Sequence, residues 1–328
     1  MRARNANPVT TTMRACSTIQ RNNPSILLQS PSRFNVVFDV GKTFHASACA
    51  FFPQHGVQGV DCVVLTHEHA DAILGLDDLR VCQRPLTKPG SASPLNLAAA
   101  VQDVIAETTR TTGHRVDEEP PLKKQLAAVH YWTQGNAECV VFASEQTSAY
   151  IARCFPYLVS GGAGGRFVSK LRVQTFKLAL NADGDAFTVP HFFTPERGLR
   201  VVPLPVEHGP GFVSAGFLFG AVVYLSDIGA LPERTRAFIL SRNIEILIVD
   251  CLRPRHPPHA AAPVHFDLVM CLACIESLGP PPQTYITGIG HEMPHADTNA
   301  ALKALPIERF GRVQLAFDGL ALELPDLA

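Results

Sequence analysis

Several short apolar stretches of the chain end directly in a histidine or an aspartate. Residues 60–65 lead into a histidine-rich turn, residues 199–206 lead to His208, and residues 221–225 lead to Asp227. Apolar runs of this length predict buried β-strands. Loops at strand ends are where a fold presents its functional side chains. The pattern therefore predicts a protein rich in β-strands with a polar site where several strands end.

The remaining apolar runs and the turn residues between them complete this prediction. Helices are predicted at 71–80, 147–154 and 266–278. Strands are predicted at 26–29, 35–38, 60–65, 139–143, 199–206, 212–219, 221–225, 244–249, 284–287, 312–317 and 320–324. Because strands dominate and helices separate only some of them, the order favours an α/β sandwich over a purely parallel sheet.

The composition supports a folded protein and excludes some partners. Of the 328 residues, 46% are hydrophobic and 17% are charged, which is enough apolar material for a core and too little charge for a disordered chain. The net charge of −1 provides no positive field, so nucleic acid is not an expected partner. The longest apolar runs are shorter than a membrane span, so no membrane contact is expected.

The arrangement of the chain predicts one domain with two less regular segments. Residues 1–23 are expected to form a flexible N-terminal segment, and residues 24–328 the domain. An insertion is predicted at about 84–137, because proline, glycine and serine open this stretch and its middle is polar. This insertion can serve as a lid or as a dimer contact, so a homodimer stays an open alternative.

The cysteines indicate a cellular compartment. Nine cysteines are scattered over the chain, and an odd number argues against a disulfide framework. A reducing, cytoplasmic location is therefore predicted. Mitochondrial targeting is the alternative, because several arginines and no acidic residue precede Asp39.

The sequence from His67 to Asp71 carries the strongest chemical signal. His67 and His69 can aim two imidazoles at one ion, and Asp71 can hold a second ion beside it. Imidazole and carboxylate ligands suit zinc, and also manganese or iron. A solvated polar loop would explain the histidine pair alone. Together with the distant His208, Asp227 and His291, however, the pair predicts a metal site.

In these motifs the chain resembles the metallo-β-lactamase superfamily. The matching segments are Thr66-His67-Glu68-His69-Ala70-Asp71-Ala72, Glu207-His208-Gly209, Tyr224-Leu225-Ser226-Asp227 and Gly288-Ile289-Gly290-His291. Three further segments are similar to the branch that contains the phosphonate-pathway cyclic phosphodiesterase: Gly75-Leu76-Asp77-Asp78-Leu79-Arg80, Phe155-Pro156-Tyr157-Leu158 and Phe317-Asp318-Gly319-Leu320. The resemblance covers residues 24–328 apart from the insertion.

The resemblance implies a fold and a metal centre. The implied fold is a metallo-β-lactamase-like αββα four-layer sandwich. The implied cofactor is zinc at two sites, with manganese or iron as alternatives. His67, His69 and His208 would hold the first ion, Asp71 and His291 the second, and Asp227 would bridge them. A metal-bound hydroxide would be the attacking group.

One position departs from the family pattern. Ala72 stands where the superfamily usually has a histidine ligand of the second ion, and alanine cannot bind metal. The second site would then bind weakly, or the protein would use one ion. His295 and His45 are the alternative ligands that the sequence offers.

Catalysis also needs an acid for the leaving group, and imidazole suits this role. The candidates are His256, His259 and His265. His265 is favoured because it precedes Phe266 directly before a predicted helix, as an active-site histidine does in the similar branch. His265 and Asp71 are therefore the predicted catalytic residues. Two arginines are predicted to bind a substrate phosphate; they are Arg253 and Arg255.

Together these features predict a metal-dependent hydrolase, with a small-molecule phosphodiester as the favoured substrate. This substrate class rests on the resemblance alone. Hydrolysis of a thioester, a lactone or an RNA 3′ end at the same site is one alternative. A non-catalytic binding or scaffold protein with a degenerate second metal site is the other.

Overall fold

The computed structural model describes residues 21–83, 138–159, 168–181, 185–194, 196–257 and 263–324. Within these ranges the chain forms two β-sheets that face each other, with helices on both outer faces. The predicted four-layer αββα sandwich is therefore confirmed. Residues 1–20 and the predicted insertion lie outside the described residues.

The elements are numbered in chain order. The strands are β1 (Ile26–Gln29), β2 (Asn35–Phe38), β3 (Cys62–Val64), β4 (Cys139–Ser144), β5 (Leu171–Phe176), β6 (Phe187–Val189), β7 (Leu199–Glu207), β8 (Val213–Phe219), β9 (Val222–Leu225), β10 (Ile246–Asp250), β11 (Gln283–Thr287) and β12 (Arg312–Leu315). The α-helices are α1 (Phe44–Phe51), α2 (Ala70–Ile73), α3 (Glu145–Cys154), α4 (Pro156–Val159), α5 (Glu233–Leu240), α6 (Leu268–Ser277), α7 (His295–Lys303) and α8 (Ile307–Phe310). Short 3₁₀-helices span Pro53–His55 and Asp77–Val81.

The first sheet has the strand order β1-β2-β3-β4-β5, and the second has the order β12-β11-β10-β9-β8-β7-β6. In the first sheet, β2 to β5 run parallel and β1 is antiparallel to β2. In the second, β9 to β12 run parallel, whereas β6 to β9 pair antiparallel. As a result, β7, β9, β10 and β11 all end at the same edge of the second sheet.

Side-chain alternation along the strands builds the layers. In β2, Val36 and Phe38 face the second sheet, and Val37 faces the outer helices. In β9, Tyr224 faces the first sheet, and Val223 packs with the outer layer that includes α6. Both faces of these strands are buried, which explains why they are almost continuously apolar in sequence.

Phe38 lies at the centre of the layer between the sheets. Its ring centroid is 5.4 Å from that of Phe217, 5.1 Å from that of Phe219 and 6.1 Å from that of Tyr224. We expect Phe38→Ala to lower the free energy of unfolding by about 3–5 kcal/mol, because it leaves a cavity among these rings. Phe317→Ala, at a side chain that is 49% exposed, should change it by less than about 0.5 kcal/mol. The free energy of unfolding of both variants is measured in urea. Equal losses of stability would contradict the placement of Phe38 at the centre of the core.

Most predicted elements are confirmed, and two are wrong. The predicted helix 71–80 is broken: α2 ends at Ile73 and a 3₁₀-helix begins at Asp77. Gly75 lies between them, where a Cβ would approach the backbone oxygens of Val40 and Gly41 at 2.8 and 2.6 Å. This close approach of two backbones replaces the continuous helix.

The predicted strand 320–324 is also wrong, because these residues form no strand. A turn with a hydrogen bond from Leu320 N to Phe317 O follows β12 and directs the chain away from the sheet. Leu320, Leu322 and Leu324 instead pack, partly buried, against the layer between the sheets. Their alternating pattern therefore reflects one-sided burial without a strand partner.

Within the described part of the chain, no helix has the length and apolar character needed to cross a membrane.

Candidate metal centre

The candidate site lies where strands of both sheets end. β3 leads into His67 and His69, β7 leads into His208, and β9 leads into Asp227. A hydrogen bond of 2.9 Å from Ala215 N to Thr66 O joins the two sheets beside this point. The topology thus brings together side chains that are far apart in sequence.

A buried acidic residue positions His67. Asp39, directly after β2, accepts hydrogen bonds from Thr66 N at 2.9 Å and from Thr66 Oγ1 at 2.9 and 3.0 Å. Because the Thr66 hydroxyl donates to Asp39, it accepts the hydrogen bond from His67 Nδ1 at 2.8 Å. This chain of hydrogen bonds fixes the ring and leaves His67 Nε2 free to bind an ion. Sequence reasoning missed Asp39 and Thr66 as parts of the site, although Asp39 also follows an apolar strand.

His208 is oriented in the same manner. Its Nδ1 donates to Val264 O at 2.8 Å, so a neutral ring carries its lone pair on Nε2. That Nε2 lies 3.1 Å from His69 Nδ1 and 3.8 Å from Asp227 Oδ2. The ring of His69 stacks on Phe212 with a centroid distance of 4.8 Å. The imidazoles are therefore held with their ring nitrogens directed at one another.

Asp227 completes this arrangement. Its Oδ2 lies 3.2 Å from His67 Nε2, and the residue is 4% exposed. The backbone of Asp227 has a φ of 50°, a left-handed conformation that aspartate adopts more readily than most residues. This conformation turns its carboxylate into the site at the end of β9.

Burial favours the metal-binding form of two of the three histidines, whereas for His67 burial is outweighed by the nearby Asp227, which raises its pKa. Burial lowers the pKa of His69 and of His208, which keeps them in the neutral form that binds metal. Burial also disfavours the charged form of Asp227. The adjacent His67, through hydrogen bonding and charge, outweighs burial and holds the pKa of Asp227 below its usual range. Asp227 is therefore ionised at neutral pH.

Six residues of the described chain form three overlapping groups that can hold an ion. In each group the ligand atoms lie within 4.8 Å of one another. The groups are His67, His69 and His208; His208, Asp227 and His265; and His67, Asp71 and Asp227. Five of the six predicted metal ligands are thus brought together, and His265 joins them. His291 is exposed and belongs to none of these groups.

His265 lies beside the histidine cluster and is paired with a buried acid. Its ring centroid is 4.9 Å from that of His208. His265 Nδ1 donates a hydrogen bond of 2.7 Å to Oδ2 of Asp250, the fully buried last residue of β10. Burial raises the pKa of Asp250 to about 7. For His265, burial opposes the charged form, but the hydrogen bond and charge of Asp250 raise its pKa.

The other candidates lie outside this cluster. Arg253 is half-buried and Arg255 is exposed, and neither lines the cavity described below. His256 approaches the backbone oxygen of His265 at 2.9 Å through its Nε2, while His295 interacts with Asn299. His45 lies beside Cys49 on α1 and belongs to none of the groups. His259 is outside the described residues, so its role stays a prediction.

Glu68, between the two histidines of the first motif, points away from the site. It accepts hydrogen bonds from Gln146 Nε2 at 2.5 Å and from Thr147 Oγ1 at 3.0 Å. Both partners belong to α3, so Glu68 fastens the histidine turn to the outer helix layer.

Gly288 follows β11 at the edge of the site and has a φ of 67°. A Cβ at this position would overlap Oδ1 of Asp250. We expect Gly288→Ala to cost about 2–4 kcal/mol of stability, because the left-handed backbone and the overlap both disfavour a side chain. Gly211 has a φ of 74° with open space around it, so Gly211→Ala should cost only about 1–2 kcal/mol. The free energy of unfolding of both variants is measured in urea. Equal losses of stability would contradict the prediction, because the overlap with Asp250 would then add nothing to the effect of the left-handed backbone.

A cavity of about 1130 Å³ adjoins the site. Its lining includes Asp71, Asp227, Asp250 and His265 at one end. The rest of the wall is largely aromatic and aliphatic and includes residues of β1 and α1. The cavity therefore gives a small molecule access to the carboxylates of the site.

The residues present fit a divalent metal ion. His67 Nε2 is buried and has no hydrogen-bond partner among the described residues, although Asp227 lies 3.2 Å away. A buried, orphaned imidazole nitrogen facing other ring nitrogens and a carboxylate is the donor set that zinc prefers. The residues that fit a metal ion best are therefore His67, His69 and His208, together with Asp227.

The chain is similar to known proteins in part of its sequence and in its fold. A sequence model of the beta-lactamase superfamily domain matches residues 34–122. No curated protein matches the chain in sequence.

Solved structures give broader matches to the fold. A structure described as a new diphosphatase from the PhnP family has a TM-score of 0.61 at 24% identity, covering 94% of this chain and 89% of that one. Zinc-bound PqqB from Methylobacterium extorquens has a TM-score of 0.57 at 14% identity, covering 98% and 94% of the two chains. The metallo-beta-lactamase fold protein YhfI from Bacillus subtilis has a TM-score of 0.54 at 15% identity, covering 91% and 90%.

Proposed function

We propose that this chain, which has the metallo-β-lactamase fold and resembles the PhnP family, is a divalent-metal-dependent hydrolase of phosphodiesters. The observation that carries the proposal is the convergence of His67, His69 and His208, with the Asp227 carboxylate 3.2 Å from His67 Nε2 and 3.8 Å from His208 Nε2. The similarity to a structure described as a PhnP-family diphosphatase supports a phosphoester substrate. The near-neutral net charge favours a small molecule over a structured RNA.

In this proposal the three histidines and Asp227 hold the ion, and Asp71 lies beside them. His67 Nε2 is 3.8 Å from Asp71 Oδ1, so this carboxylate is placed to orient the attacking water at the end of the cavity. A bound divalent ion lowers the pKa of water and neutralises charge on the phosphoryl oxygens. Zinc suits the ligand set, with manganese or iron as alternatives.

His265 is the proposed acid for the leaving group. Its Nδ1 donates to Asp250, which leaves the proton on Nε2 available for transfer. The hydrogen bond and charge of Asp250 raise the pKa of His265 against the effect of burial, and the raised pKa favours the protonated ring. Asp250 fixes the orientation of the His265 ring and stabilises its protonated form, as a carboxylate does for a catalytic histidine.

The proposal does not depend on Arg253 or Arg255, because neither lines the cavity. Their predicted phosphate contact stays a prediction, as do the homodimer and the cytoplasmic location. All eight cysteines in the described part of the chain are free.

A panel of substrates at equal concentration tests the reaction class. It should contain a small phosphodiester, a phosphomonoester, a thioester, a lactone and a precursor RNA with a 3′ extension. We expect the phosphodiester to give the highest kcat/KM in the zinc- or manganese-loaded protein. A thioester, lactone or RNA hydrolysed at least tenfold faster would replace the proposed substrate class, and no turnover of any of them would favour a binding protein.

A further inference from the structure

The three groups of candidate ligands share most of their members. His67, His208 and Asp227 each belong to two groups. Only His69, Asp71 and His265 belong to one group each. The six residues therefore cannot be counted as three independent sites.

An ion bound by the three histidines uses up most of the donors. The second group then retains only Asp227 and His265, and the third retains only Asp71 and Asp227. No group among the described residues unites Asp71 with His265. A second ion would thus be held by one unshared residue together with the shared Asp227, whereas catalytic zinc sites have three protein ligands.

The neighbouring residues add no further ligand. Ala72 is 2% exposed, packs in the apolar cluster outside the first sheet, and has no donor atom on its side chain. His291 is exposed and outside the groups. His265 is already counted in the second group, and its Nδ1 hydrogen bond to Asp250 leaves Nε2 as its one ligand atom.

We infer that the chain binds a single divalent ion with high affinity at the group of His67, His69 and His208. Asp227, whose Oδ2 lies 3.2 Å from His67 Nε2 and 3.8 Å from His208 Nε2, is the fourth ligand. Asp71 and His265 then stay beside that ion as groups that contact the substrate or the attacking water. The inference rests on the proposed function only in assuming that the centre binds metal.

Metal binding can be counted without any substrate. The full chain, freed of metal by a chelator and dialysed, is titrated with Zn²⁺ in a calorimeter and with Co²⁺ while the visible absorption is recorded. We expect one tight equivalent per chain, with the absorption of four-coordinate Co²⁺ saturating at one equivalent. Mass spectrometry of the reloaded, dialysed protein should give the same stoichiometry.

Two variants assign the ion. His69→Ala should lose the tight equivalent, because His69 contributes only to the first group, and His291→Ala should retain it. Two tight equivalents in the unsubstituted protein, of which one is lost in His291→Ala or His265→Ala, would overturn the inference. Circular dichroism of each variant confirms that it is folded.

The result is separable from the proposed reaction. One equivalent without phosphodiester hydrolysis would leave the inference intact and remove the proposed function. Two tight equivalents together with phosphodiester hydrolysis would overturn the inference and leave the proposed function intact. No binding of Zn²⁺ or Co²⁺ would overturn both.

Discussion

Asp227→Asn is expected to weaken metal binding and to reduce phosphodiester hydrolysis by about 10³-fold or more, since a bound ion would supply the activated water and the charge neutralisation. Asparagine preserves the shape of the side chain and tolerates the φ of 50° at this position, so the fold should survive. The substitution removes the negative charge of the carboxylate, whose Oδ2 lies 3.2 Å from His67 Nε2 and 3.8 Å from His208 Nε2.

The measurement is metal content per chain together with kcat/KM for a small phosphodiester. Asp297→Asn is the matched control, because this exposed aspartate lies in the first turn of α7 and belongs to none of the candidate groups. It should keep both the metal and the activity. An Asp227→Asn protein that retains metal and more than about a tenth of the activity would show that this carboxylate is not a ligand.

His265→Ala should lower kcat by about 10²–10⁴-fold and leave the tight metal ion in place. The loss should depend on the leaving group. It should be large for an alkyl alcohol, which leaves slowly as an anion, and small for 4-nitrophenol, which needs no proton. Added imidazole should restore part of the rate. An equal loss with both leaving groups would contradict the role as an acid.

Asp250→Asn tests the partner of His265 through the pH profile. Removing the negative charge lowers the pKa of His265, because the charge and hydrogen bond of Asp250 are what raise it against burial. The acid must be protonated to act, so the alkaline limb of kcat should move to lower pH in this variant. An unmoved alkaline limb would show that a different group supplies the proton.

The sequence predicted the strands that carry the site well, since a buried strand that ends in a polar residue leaves a strong local pattern. β1 and β2 have the predicted bounds, and β7, β9 and β10 differ by only a few residues. His67, His208 and Asp227 could be placed for the same reason.

The rest depends on contacts that no local pattern encodes. The break near Gly75 follows from backbone atoms about 35 residues earlier in the chain, and residues 320–324 lack a strand partner although they alternate. His208 directly follows β7, whereas the turn at Gly288 and Gly290 separates His291 from the end of β11 and leaves it exposed. His265, from a proline-rich loop, lies in the site instead. Its partner Asp250 follows the general pattern of an acid at the end of an apolar strand, which favours a hydrogen-bonding role that orders the site, and it does hydrogen-bond to His265.

The dependence of hydrolysis on the ion is the most direct test of the account. Hydrolysis of bis(4-nitrophenyl) phosphate should be measured in the purified protein, after removal of metal with a chelator, and after addition of Zn²⁺ or Mn²⁺. The account predicts that activity disappears with the ion and returns when one of these ions is added. Hydrolysis that persists in the metal-free protein, or that is absent from the fully loaded protein, would contradict it.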